Sequence, residues 1–229
     1  IQWAPLSFGV MVTQKEKFIA IQNGNEARIP CEHDDKSYIT VLWYQQKAAE
    51  RQLQLVATST GVNSSEIEKE LQTRYSISSM SAVDLRTQDT ANYFCPLVTV
   101  TNNKVYFGAG TKLTVLEDGL NITSPKVAIF PPSKQEIKEK GKATLVCLVR
   151  DFYPDHVKLV WQVNDADRED GVRTDEFSTW DDTSKSYSLT SRLRISTQEW
   201  FNSKNSFRCA VKFHLDEVQY EVIRGGDGE

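Results

Sequence analysis

The 229-residue chain is short of the residues that chemistry on small molecules requires. Its three histidines, His33, His156 and His214, fall in separate stretches, and no Gly-x-Ser-x-Gly nucleophile turn accompanies them. His33-Asp34-Asp35 offers fewer oxygen ligands than calcium wants, and the four cysteines lack the close Cys-x-x-Cys spacing of a zinc site. No enzyme activity, metal or cofactor is therefore expected. No apolar run approaches the roughly 20 residues of a membrane helix. Charge of one sign is scarce too: a net charge of −4 suggests neither a nucleic-acid surface nor an acidic-lipid anchor, and leaves a protein as the expected partner. No secretory leader is visible, so the chain reads as a mature ectodomain.

The cysteines stand as two distant pairs, Cys31 with Cys95 and Cys147 with Cys209, 64 and 62 residues apart. A tryptophan follows the first cysteine of each pair, Trp43 at +12 and Trp161 at +14. Cys, Trp, Cys at these intervals among short alternating strands is the signature of an immunoglobulin sandwich, with the indole packed on a bridge between sheets. The pattern occurs twice. The expectation is an all-β chain of two immunoglobulin-like sandwiches in tandem, variable type then constant type. The first spans residues 1–116, with 1–8 an unplaced extension, and the second spans 121–224. Two disulfides imply an oxidising compartment, and each would stabilise by about 4 kcal/mol in the chain-entropy account. The glycosylation sequons at Asn63 and Asn121 agree with that compartment. Gly225-Gly226-Asp227-Gly228-Glu229 reads as a flexible tail.

The first half is organised around Asp89–Gly110. Asp89, Ala91, Tyr93 and Cys95 form a strand approach, with Tyr93 and Cys95 on one face and Phe94 on the other. Phe107-Gly108-Ala109-Gly110 forms the departure, where the glycines permit a bulge and close backbone approach. The eleven positions between Cys95 and Phe107 follow no burial pattern and read as a free loop on a fixed frame. Asn23-Gly24-Asn25 reads as a hairpin turn, the residues after Cys31 as one exposed loop, and Thr58–Asn63 as another. Alternation over Val41–Gln46 puts Trp43 inside and Tyr44 and Gln46 outside. An outer face carrying Tyr44, Gln46, Phe94 and Phe107 is best explained by a covering domain. Arg74 and Asp89 are placed to form an ion pair.

With these residues in view, Val12–Leu116 resembles a T-cell receptor beta variable domain. The likeness rests on VTQKEKF, LWYQQ (42–46), RYSIS (74–78), DTANYFC (89–95) and the joining segment FGAGTKLTVL (107–116). It implies that Tyr93 makes a tyrosine corner and that Tyr44, Gln46, Leu53, Phe94 and Phe107 face a T-cell receptor alpha chain. It further implies that three loops meet a peptide held by a major histocompatibility complex molecule. These are His33, Asp34, Asp35, Lys36, Ser37 and Tyr38; Thr58, Ser59, Thr60, Gly61 and Val62; and Leu97, Val98, Thr99, Val100, Thr101, Asn102 and Asn103. Tyr38 is the favoured anchor. The segment between Arg74 and Asp89 is shorter than the family's.

In the second half, Ser133-Lys134-Gln135-Glu136 fits a capping box that would open a single helical turn. Tyr153-Pro154 is expected to be cis. Tyr187–Ile195 alternates, burying Leu189, Leu193 and Ile195, with Arg192 and Arg194 on the polar face. KATLVCL (142–148), FYPDHVKLVWQVN (152–164), GVRTD (171–175), LTSRLRIS (189–196) and FNSKNSFRC (201–209) resemble a T-cell receptor beta constant domain. Receptor signalling subunits and a cell-surface position on a single membrane span follow from that resemblance. The nearly absent insertion after Cys209 points to a vertebrate lineage outside the mammals. The rival readings are an antibody light chain pairing with a heavy chain and an immunoglobulin-type adhesion protein; the joining segment disfavours the second.

Overall fold

A computed structural model describes residues 10–34, 39–48, 50–60, 64–79, 83–99 and 103–226. The chain forms two compact units, Ile1–Asp118 and Gly119–Glu229. Each is an all-β sandwich around its own core.

The first unit is built from β1 (Val12–Thr13), β2 (Phe18–Gln22), β3 (Ala27–His33), β4 (Ile39–Gln46), β5 (Gln54–Thr60), β6 (Ser64–Ile67), β7 (Tyr75–Ser79), β8 (Val83–Thr87), β9 (Ala91–Phe94), β10 (Leu97–Thr99), β11 (Val105–Tyr106) and β12 (Thr111–Leu116). One sheet runs β1-β3-β8-β7; the other runs β11-β10-β4-β9-β12-β2, with β5 on β4 and β6 on β5. Cys31 on β3 is bonded to Cys95 after β9, which ties sheet to sheet. The period-2 pattern drives the fold: Val41, Trp43 and Gln45 point inward, Leu42, Tyr44 and Gln46 outward. Gln45 is polar yet buried. Its amide accepts from the Tyr75 hydroxyl at 2.6 Å and donates to Gln54 at 2.7 Å, so its burial leaves no orphaned group.

The Asn23-Gly24-Asn25 turn does not close a hairpin. Asn25 N–H does bond the Gln22 carbonyl at 3.1 Å, but β2 pairs in parallel with β12, from Phe18 against Lys112 to Gln22 against Leu116. It is β1 that pairs with β3. The backbone passes from one sheet to the other between β1 and β2, and this closes the edge beside β12.

The second unit contains β13 (Lys126–Phe130), α1 (Lys134–Lys140), β14 (Lys142–Phe152), β15 (Val157–Val163), β16 (Ala166–Arg168), β17 (Val172–Thr174), β18 (Thr179–Asp181), β19 (Ser186–Ser196), α2 (Thr197–Trp200), β20 (Ser206–Phe213) and β21 (Glu217–Arg224). Its sheets run β13-β14-β19-β17, with β18 on β19, and β16-β15-β20-β21. Cys147 and Cys209 join them. Buried Trp161 donates its indole N–H to Ser191 at 2.9 Å. Leu189, Leu193 and Ile195 are buried, and Tyr153-Pro154 is cis.

Two local readings need correction. Ser133 does cap α1, accepting from Glu136 N–H at 3.1 Å, yet the helix runs seven residues rather than one turn. The Glu136 carboxylate accepts instead from the Thr144 N–H and hydroxyl, at 2.9 and 2.7 Å, and so staples α1 to β14. Gly225 is not a free tail: it is buried, its N–H bonds Asn205 at 2.9 Å, and a Cβ there would lie 2.2 Å from the Asn202 carbonyl.

Candidate recognition site and partner-facing sheet

The Asp89–Gly110 frame is fixed by three sets of contacts. At its base Tyr93 donates its hydroxyl to the Asp89 carbonyl at 2.7 Å, a tyrosine corner two residues before Cys95. Asp89 also pairs with Arg74, and its carboxylate lies 2.9 Å from the Tyr75 hydroxyl. Burial pushes the phenols of Tyr75 and Tyr93 upward, so both stay protonated donors through the neutral range. In the departure, Gly110 has φ +84°, and a Cβ there would fall 2.6 Å from the Phe94 ring. The Phe94 ring therefore lies against bare backbone.

The third set comes from Gln14, whose role the sequence reading missed. Its buried amide donates to the Tyr93 carbonyl at 2.9 Å and to the Thr111 hydroxyl at 3.3 Å, and accepts from Gly110 N–H at 3.2 Å. One side chain thus clasps both strands that carry the loop. The only signal in the sequence is a polar residue beside an N-terminal alternating stretch, which names no partner some 80 to 100 residues away.

Strand registers place three strand ends side by side. Thr99 at the end of β10 lies opposite Ile39 at the start of β4, and Thr60 at the end of β5 lies opposite Thr40. The segments 35–38, 61–63 and 100–102 depart from these adjacent strand ends. Asp35, Lys36, Ser37, Tyr38, Gly61, Val62, Val100, Thr101 and Asn102, and the sequon residue Asn63, lie outside the described residues. Asn103 is exposed with φ 52°, and its N–H bonds Thr99, which closes the base of the β10–β11 connection.

Several residues assigned to these loops belong to the sheet. Thr58, Ser59 and Thr60 are in β5, and Ser59 is only 2% exposed; Leu97 and Thr99 are buried in β10, Leu97 at 1%. Residues 96–99 and 103–106 do carry a burial pattern, because β10 continues past the disulfide and pairs with β4 and β11. His33 is the last residue of β3, opposite Val12. Asp34 is exposed, but its carboxylate accepts from Met11 N–H at 2.8 Å, which fixes the start of the first connection. Asp34, Thr60 and Asn103, with half-buried His33, Thr58 and Val98, remain as described loop assignments with surface.

On the outer face of the same sheet, Tyr44 stands directly opposite Phe94 and Gln46 opposite Asn92. Both aromatic side chains are half-buried, Leu53 is exposed, and Phe107 is 57% exposed. Val105, 51% exposed, lies one alternation before Phe107, with Tyr106 between them packed into the core. Val105 and half-buried Leu55, which lies opposite Tyr44, were not among the expected residues. The Gln46 amide donates to the Arg51 carbonyl at 3.3 Å within the chain.

Residues 14–116 match the immunoglobulin V-set domain and residues 127–215 the immunoglobulin C1-set domain. Over 215 residues, 89% of this chain and 67% of the relative, the sequence is 35% identical to a viral T-cell receptor beta chain-like protein of feline leukemia virus. The chain belongs to the T-cell receptor beta-chain family. Its constant-type segment is 53% identical over 98 residues to the constant region of the T-cell receptor beta-2 chain of Mus musculus. It is 48% identical over 100 residues to the constant region of the beta chain of Oryctolagus cuniculus. These matches span 56% of each constant region. The T-cell receptor beta family is a receptor family and not an enzyme family. Among the described residues no helix is long and apolar enough to cross a membrane. In this family member a three-residue turn, His214–Asp216, joins β20 to β21, which pair directly from Phe213 against Glu217 onward.

Proposed function

We propose that this T-cell receptor beta-family chain is the antigen-recognition chain of a cell-surface heterodimer. It pairs with an alpha chain and contacts a peptide presented by a major histocompatibility complex molecule. The observation that carries this reading is the alignment of the β4, β5 and β10 ends, which sends three connections from one edge of a rigid sheet. The outer face of that sheet carries Tyr44, Phe94, Val105 and Phe107, apolar surface suited to a second domain. A single membrane span outside this segment, contacts with signalling subunits, glycans on Asn63 and Asn121, and a source outside the mammals complete the proposal. The short β20–β21 turn supports the last of these.

Co-expression with T-cell receptor alpha ectodomains, and in parallel with antibody heavy-chain fragments, tests it. A 1:1 complex with an alpha ectodomain that binds a peptide-loaded presenting molecule is expected. Selective pairing with the heavy chain, or a monomer in every combination, would refute the reading.

A further inference from the structure

The constant-type unit buries two histidines against each other where β20 turns into β21. His156, at 0% exposure, lies in the bend before β15, and His214, at 8%, opens the His214–Asp216 turn. Their Nδ1 atoms are 3.5 Å apart and their ring centroids 5.6 Å. In the neutral pair one Nδ1 carries a hydrogen and the other offers a lone pair. A first added proton can be shared along the line between them, since a tautomer shift leaves one ring donating and the other accepting. A second would set two N–H groups and two positive charges against each other in a buried site, so the closed pair binds one proton at most. Burial opposes even that one, and holds the His214 pKa below the ordinary value of 6.5.

The turn that His214 opens is poorly suited to hold itself. Leu215 and Asp216 have φ of 57° and 65°, a region that side chains with a Cβ avoid, and Leu215 is 78% exposed. His214 is the turn's one buried residue. The charged groups on the surrounding elements are engaged with other groups. Lys212 on β20 pairs with Asp216 at 2.7 Å, Asp155 in the bend accepts from the Ser178 hydroxyl at 2.7 Å, and Glu217 on β21 accepts from the Ser124 hydroxyl at 3.0 Å. Lys158 on β15 stands opposite Lys212. Burial alone shifts the His214 titration, so no carboxylate holds an imidazolium there. We infer that the histidine pair is an acid-released latch on the β20–β21 turn: the neutral pair holds the turn closed, and proton uptake opens it while the rest of the sandwich stays folded. Released rings take protons near pH 6.5, so closure is complete above that value and is lost as pH falls through it. The opening stays local because β20 remains tied by the Cys147–Cys209 bridge and by its pairing with β21 from Ser206 onward.

Amide hydrogen exchange of the intact chain between about pH 7 and pH 5, corrected for the pH dependence of the exchange chemistry itself, tests the latch. Opening that takes up one proton grows at most about tenfold per pH unit, and opening that takes up two grows up to about a hundredfold. In wild type, opening of residues 213–217 should therefore rise more steeply than about tenfold per unit below about pH 6, because both protons enter only on opening. The amides of Leu145 and Val149 in the β14–β19 ladder should not rise in step. His214→Gln leaves one titrating ring, so its turn should respond by about tenfold per unit or less. A wild-type turn whose opening ignores pH, or responds no more steeply than that of the variant, would overturn the inference. Ladder amides that rise together with the turn would overturn it too, because acid would then be unfolding the whole unit. If His214→Gln does not fold, the ring nitrogen shifts of wild type decide. Two separate steps, both below the ordinary histidine value, support the latch, and two independent titrations at that value refute it.

Discussion

Replacing Gln14 with alanine tests whether the recognition frame depends on a residue so distant in sequence. The substitution removes the bonds to the Tyr93 carbonyl, the Thr111 hydroxyl and the Gly110 N–H. Thr111 keeps its bond to the Glu16 carbonyl at 2.6 Å, so its loss is small. The buried Tyr93 carbonyl and the part-buried Gly110 N–H then lose their side-chain partner. A buried group stranded in this way costs about 1–3 kcal/mol, and the two together with the cavity should cost about 3 kcal/mol. For a unit of this size that corresponds to a fall of roughly 10–20 °C in the melting transition of the variable-type domain. Lys15→Ala, next in sequence, is the control: its pair with Glu32 is exposed on both sides and should contribute about 0–1 kcal/mol. Calorimetry of the intact chain should show one transition lowered by Gln14→Ala and neither moved by Lys15→Ala. If Gln14→Ala melts within a degree or two of wild type, the clasp does not hold the frame.

Gly110→Ala should destabilise the same unit by about 2 kcal/mol or more, from a left-handed φ and a Cβ driven into the Phe94 ring; urea denaturation followed by intrinsic fluorescence measures it. Tyr75→Phe strands the buried Gln45 amide oxygen, while the Asp89 oxygen keeps Arg74, and should cost about 1–2 kcal/mol, read in the same titration. In the constant-type unit, burial holds the His214 pKa below the ordinary histidine value. The unfolded chain then takes up a proton that the folded chain refuses. Stability contributed by His214 is therefore complete above about pH 6.5 and declines as pH falls through that value, by at most about 1.4 kcal/mol per pH unit. Melting curves from pH 8 to 5 should show a steeper acid loss for wild type than for His214→Gln, and parallel curves would contradict the assignment.

What could be read in the sequence was what alternation and local spacing determine. Phe94 points away from Tyr93 and Cys95 because successive side chains on a strand must, and Arg74 meets Asp89 because the two strand ends share one end of the sandwich. What could not be read depended on long-range register. Nothing in Asn23-Gly24-Asn25 says that β2 belongs to the opposite sheet, since a turn signal specifies a change of direction and not a pairing partner. Leu97 and Thr99 looked like loop residues because the stretch after Cys95 shows no alternation long enough to name a strand, yet β10 lies beside β4 and buries both. Gln14 and Glu136 each bond a segment that local pattern cannot name. The candidate contact surface was accordingly drawn too far down the strands, while the outer face lacked Leu55 and Val105.

The central claim is that the outer face holding Tyr44, Phe94 and Phe107 is covered by a second chain. Hydroxyl-radical footprinting of the free chain and of its complex with an alpha ectodomain tests it directly. The account predicts that Phe107, more than half exposed when free, and Tyr44 and Leu53 become protected on pairing, while exposed Phe177 on the other unit keeps its reactivity. A stable complex in which Phe107 and Tyr44 label as fast as in the free chain would contradict it.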